Sequence, residues 1–261
     1  METRSVSVSL GSTRILPESE DPSPPRAARA QLLAIPAYFP PGPSWDRMIA
    51  AHPTTGLAVM NPMNGPGTTK SAEYEITIGR CRDAGLQVLG YISTGYSRRD
   101  VQNITDEIEQ YESWYGVDGI FFDEASTRCS DRPYYEKLRD AVEARSQNPL
   151  IVLNPGESTC RCYMSVADIV VTFEGSYLEY LTSYTAPDWV SKYDSKRFWH
   201  LVNGAQTSLQ LERSIRLSRR RGAGWVYVTP DELPNPWGRL PAEVYWRAEL
   251  SAEWPSATFS S

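Results

Sequence analysis

"DGIFFDEAS", residues 118–126, decides how this chain reads. Gly119 to Phe122 are apolar without alternation and run straight into adjacent carboxylates, Asp123 and Glu124. A strand apolar on both faces is covered on both sides, as in a parallel sheet flanked by helices. Charge placed at the end of such a strand costs desolvation energy unless it is paired or wet, so the two acids need a reason to be there.

Seven further runs of the same kind lie on either side. They are "LLAIPAYF" (32–39), "GLAVMN" (56–61), "QVLGYIS" (87–93), "LIVLN" (150–154), "IVVTFE" (169–174), "FWHLVN" (198–203) and "GWVYVT" (224–229). The segments between them carry helical spacing. Val101, Ile104, Ile108, Tyr111 and Tyr115 fall on one helix face, with Asp100 as N-cap and Gly116 as stop. Tyr135, Leu138 and Val142 repeat the pattern, and Gly85 and Gly222 end two more helices. Eight strands joined by helical crossovers predict an α/β protein built as a single (β/α)8 TIM-like barrel over 31–261. An open doubly wound sheet would show a glycine-rich phosphate turn after its first strand, and "PAYFPPGPSW" is not one. The segment 175–197, interrupted by Pro187, reads as a broken helix with a loop.

Residues 1–30 mix Ser, Pro, Arg and acids without the apolar stretch of a secretory signal and read as a disordered leader. No run of about 18 apolar residues predicts a membrane span. A net charge of -6 argues against a nucleic-acid partner. Four cysteines do not make a disulfide scaffold, yet Cys129, Cys160 and Cys162 fall on loops after neighbouring strands, leaving room for one bridge with either partner open. Cys81 reads as a free helical thiol.

Active sites of such barrels sit at the C-terminal strand ends. Those ends carry Asn61, the Asp123–Glu124 pair, Asn154, Glu174, Asn203 and Thr229 with Asp231. Strands four and six are next-nearest neighbours, so Asp123 and Glu174 are expected to face each other across a sugar-sized gap. Glu174 shares parity with Thr172, which is expected to face the interior with it. Along one regular strand Asp123 and Glu124 cannot both face the mouth. Two carboxylates so placed can cleave a glycosidic bond, one donating a proton and the other attacking or activating water, with the stereochemical outcome set by their separation. The aromatic content fits stacking on sugar rings. Tyr38, Tyr91, Tyr227 and Trp237, with Asn61, Asn154 and Asn203, are the expected substrate contacts.

Other chemistries lack their residues. Two histidines, His52 and His200, are too few for a His-rich metal site, and His200 reads as a core residue. There is no G-x-S-x-G elbow, no P-loop and no C-x-x-C pair. A Mg²⁺ site on Asp123, Glu124 and Asn154 is a minor alternative, and no cofactor or metal is expected.

"AIPAYFPP", "MNPMNGPG", "VLGYISTGY", "VDGIFFDEAS", "LNPG" and "TFEGSY", in this order, resemble the spherulin-4 (spherulation-specific family 4) proteins of fungi and bacteria over residues 31–252. The resemblance implies a secreted glycoside hydrolase. It further implies endo-action on α-1,4-linked N-acetylgalactosamine in galactosaminogalactan, a biofilm exopolysaccharide. It places the acids on Asp123, Glu124 and Glu174. Asp123 is then nucleophile or transition-state stabiliser, Glu174 general acid/base and Glu124 auxiliary, with the first and third roles exchangeable. The rival expectation is a non-catalytic carbohydrate-binding or developmental protein on the same barrel. Oligomeric state is not legible.

Overall fold

The computed structural model describes residues 31–252, and the leader expected over 1–30 lies outside them. Eight parallel strands close into a barrel in chain order. They are β1 Leu32–Ala37, β2 Thr55–Met60, β3 Gln87–Ser93, β4 Gly119–Asp123, β5 Leu150–Leu153, β6 Ile169–Ser176, β7 Phe198–Asn203 and β8 Trp225–Val228. Around them run α1 Pro43–Ala50, α2 Ala72–Ala84, α3 Val101–Tyr115, α4 Arg132–Glu143, α5 Tyr177–Thr182, α6 Ser208–Arg220 and α7 Glu243–Ser251. The crossover from β5 to β6 carries only a 3-10 turn, Arg161–Ser165. The segment after β6 is the short α5 followed by 3-10 turns at Asp188–Lys192 and Ser195–Arg197.

The helices begin and end where local chemistry satisfies their free backbone groups. The Asp100 side chain accepts from Gln102 N, and α3 stops at Gly116, whose φ of 58° is the left-handed C-cap that a Cβ disfavours. Ser176 and Glu179 form a capping box on α5, as do Thr207 and Gln210 on α6. Ile104, Ile108, Tyr111 and Tyr115 bury the inner face of α3. Tyr111 comes so close to β3 that a Cβ on Gly90 would lie 2.6 Å from its ring.

Ring contacts fix which side chains fill the barrel. Phe121 on β4 meets Trp199 on β7, three strands away, with centroids 5.5 Å apart, so both point inward. Inward parity on β7 therefore runs through Trp199 and Leu201, and His200 points out to the helices. There it bonds Tyr180 Oη (2.7 Å) and Thr172 Oγ1 (3.0 Å), and burial pushes its pKa down to about 3. It is a satisfied core histidine.

Thr172 consequently faces the helix layer, which corrects the parity expected for β6. Val171 pairs with Trp199 and Phe173 with His200, leaving Thr172 as an extra residue in a β-bulge. The bulge inverts the alternation, and Glu174, opposite Leu201, turns inward because of it.

The seam between β8 and β1 is short, pairing only Leu32 with Trp225 and Leu33 with Val226. Farther up, Val228 N donates instead to Glu249 Oε1 of α7 at 3.0 Å. Glu249 is fully buried, and that burial pushes its pKa up to about 8.

Candidate active site

Carboxylates at the two ends of the barrel behave differently. At the N-terminal ends, Asp118 accepts from Val88 N (2.7 Å) and Asp168 from Ile151 N (2.9 Å), so each serves the backbone. At the C-terminal mouth the acids are turned toward one another. Asp123, the last residue of β4, and Glu174, near the end of β6, are bridged by Asn154, which follows β5 between them. Asn154 Nδ2 donates to Asp123 Oδ1 at 2.8 Å and to Glu174 Oε2 at 2.6 Å. Its orientation is fixed by Gly156 N, which donates to Asn154 Oδ1 at 3.0 Å. A planar amide nitrogen sends its two hydrogens about 120° apart, so the accepting oxygens lie roughly 4.7 Å from each other.

The outer oxygen of each acid has its own donor. Tyr91 Oη, from β3, donates to Asp123 Oδ2 (2.9 Å), and Trp237 Nε1, from the loop after β8, donates to Glu174 Oε1 (3.0 Å). Burial first, and the charge of Glu174 second, push the Asp123 pKa up to about 6, against the hydrogen bonds from Tyr91 and Asn154 that favour its anion. Tyr38 lies 5.2 Å from Tyr91 ring to ring, and burial with the charges of Asp123 and Glu174 raises its pKa well above the ordinary tyrosine value.

Glu124 reaches the mouth by leaving the strand. Its φ is 48°, so the alternation that would send it away from Asp123 stops at Asp123 itself. Thr94 Oγ1 (2.8 Å) and Tyr96 N (2.7 Å) donate to its carbonyl and hold the turn. Ser93 Oγ then donates to the Glu124 carboxylate at 2.5 Å. Ser93 was not among the expected contacts, and the 46% exposed Tyr96 stands beside it at the rim. Asking what ends the third strand, as for the others, points to Ser93.

The remaining candidates lie farther from the acids' hydrogen bonds. Asn61 Oδ1 accepts from Gly65 N (3.1 Å) and shapes its own loop. Asn203 is buried at the end of β7 opposite Ser176. Tyr227 is 1% exposed, its hydroxyl has no hydrogen-bond partner among the described residues, and its ring packs 5.8 Å from that of Trp237. It supports Trp237 from below and presents no surface to a ligand.

A (β/α)8 barrel with three carboxylates converging on its C-terminal mouth is the class of protein that this fold and site define. The sequence profile of spherulation-specific family 4 matches residues 32–252, and the chain belongs to that family. It is 31% identical to Spherulin-4 of Physarum polycephalum over 162 residues, which are 60% of this chain and 48% of that protein. The chain thus spans about half the length of the curated relative it matches. Among solved structures it is similar to Aspergillus clavatus Sph3 in complex with GalNAc, with a TM-score of 0.75, 24% identity, and coverage of 86% of this chain and 98% of that one. It is also similar to the chitinase RmChi1 of Rhizomucor miehei, with a TM-score of 0.54, 9% identity, and coverage of 85% and 99%. At these identities the likeness establishes the barrel fold.

Proposed function

We propose that the protein is a retaining glycoside hydrolase that cuts within an amino-sugar exopolysaccharide containing α-1,4-linked N-acetylgalactosamine or galactosamine. The observation that carries this reading is the Asn154 bridge. It sets the facing oxygens of two carboxylates roughly 4.7 Å apart at the C-terminal end of the barrel, close to the ~5 Å of pairs that work through a covalent glycosyl-enzyme. Family membership and the likeness to Sph3, solved with GalNAc, support the sugar class.

Charge placement suggests the division of labour. Asp123, whose pKa is raised to about 6, holds the proton and donates it to the leaving oxygen. Glu174, with an N–H on each oxygen, is the anion that attacks the anomeric carbon. Asp123 then takes a proton from the incoming water, and that water releases the sugar from Glu174. Glu124, held by Ser93 at the rim, orients the sugar. This order reverses the roles of Asp123 and Glu174 implied by the resemblance, because burial and the neighbouring charge act on Asp123.

The test is a panel of purified polysaccharides assayed for reducing ends, with the first-formed anomer read by proton NMR. Retained configuration on a galactosamine-containing polymer is expected, with Asp123→Asn and Glu174→Gln each losing at least about 100-fold in kcat. On an activated aryl glycoside Asp123→Asn recovers glycosyl transfer and Glu174→Gln does not; the opposite pattern reverses the roles. Turnover equal in wild type and both variants would leave a binding protein.

A further inference from the structure

Cys129 follows β4 in the loop that begins with Glu124, and Cys160 and Cys162 follow β5 in the loop that begins with Asn154. Cys129 and Cys162 are bridged, with Cα atoms 5.9 Å apart. A bridge needs two sulfurs, but Cys160 Sγ lies 2.7 Å from Cys129 Sγ and 3.1 Å from Cys162 Sγ. Among the described residues this is the one place where three His, Cys, Asp or Glu ligand atoms gather within 4.8 Å of one another.

The surroundings hold the three together without the bridge. Cys160 Sγ donates to Thr127 O (3.2 Å), and Tyr163 Oη donates to Arg128 O (2.7 Å), tying one loop to the other. A hollow of about 400 Å³ lined by Arg132, Arg161 and Cys162 opens beside the sulfurs. It offers an entry path.

We infer that, once the bridge is reduced, Cys129, Cys160 and Cys162 bind one thiophilic d10 cation, copper(I) in preference to zinc, as three thiolates. Opening the bridge takes two electrons and two protons from a dithiol, which becomes a disulfide; binding the cation then releases three thiol protons. Three sulfurs with no nitrogen or carboxylate beside them suit a soft, three-coordinate ion, whereas zinc seeks a fourth ligand. Metal–sulfur bonds of about 2.3 Å need sulfurs a little under 4 Å apart, so Cys160 Sγ must draw back roughly 1 Å from its neighbours and the opened Cys129–Cys162 pair must part by about 2 Å, which side-chain rotation provides.

The test uses the full chain, reduced with a dithiol and desalted without oxygen, then titrated with copper(I) against a chromophoric copper(I) chelator. Expected are one equivalent bound, an ultraviolet sulfur-to-metal band, a rise in Tm and at least 100-fold weaker binding in Cys160→Ser. Cys81→Ser, which removes a buried thiol of α2, should bind as wild type does. Circular dichroism of each variant establishes that it is folded. Copper uptake no greater than in the Cys129, Cys160, Cys162 triple serine variant, or unchanged by Cys160→Ser alone, overturns the site. Zinc held more tightly than copper in a matched competition overturns the stated preference. Neither result bears on hydrolysis by Asp123 and Glu174.

Discussion

Asn154 donates from one amide nitrogen to both Asp123 and Glu174, so the spacing of the two acids is set by a third side chain rather than by the strands alone. Asn154→Ala removes this spacer and a donor to both anions. The expected outcome is a fall in kcat of about 100-fold with KM little changed, since misplacement of reacting groups by about 1 Å costs that much. Loss of the donor also raises the Asp123 pKa, so the alkaline limb of the rate profile moves to higher pH. Steady-state kinetics across pH reads both effects.

In the wild type that alkaline limb reports Asp123. Its proton is held up to about pH 6, raised by burial and by Glu174, and a general acid works only while protonated. The value of kcat/KM should therefore decline as pH rises through about 6. Asp123→Asn should flatten the limb. A limb that persists in this variant assigns the proton elsewhere.

Trp237 gives Glu174 an N–H that phenylalanine cannot. Trp237→Phe keeps an aromatic ring beside Tyr227 and loses the charge-assisted bond of 3.0 Å. A bond to a charged group contributes about 1.5–3 kcal/mol, so a loss of roughly 10- to 100-fold in kcat/KM is expected.

Glu249 predicts a pH dependence of stability unrelated to turnover. Its pKa is raised from 4.5 to about 8, so between these values the unfolded chain releases a proton that the folded chain keeps. Stability contributed by the neutral form is full below about pH 4.5 and is lost as pH rises through the window. Glu249→Gln should be more stable than wild type at pH 8 by an amount on the order of 3 to 5 kcal/mol. That advantage should shrink toward pH 4.5. Urea melts at the two pH values measure it.

Gly90 lacks a Cβ because Tyr111 occupies its place, 2.6 Å from where one would lie. Gly90→Ala forces α3 away from β3 and should cost about 3 kcal/mol, with a lower Tm and intact secondary structure.

The repeating apolar runs made the barrel legible, because a strand covered on both faces leaves a continuous apolar signature that alternation would hide. Asp123 and Asn154 were readable as strand-end polar groups. Glu174 was found at the right end by a parity that does not hold, since the bulge at Thr172 leaves no mark in residue type. Glu124 could not be placed, because nothing in "DEAS" announces a left-handed glutamate. Tyr227 looked like Tyr91 in sequence, but it packs beneath a tryptophan 10 positions later, and only the loop after β8 brings the two together.

Glu249 joins β8 to the rest of the molecule at a point where β1 no longer reaches it. α7 is therefore a clasp laid across the seam from outside: a chain lacking it would hold its first and last staves by the two lower register pairs alone.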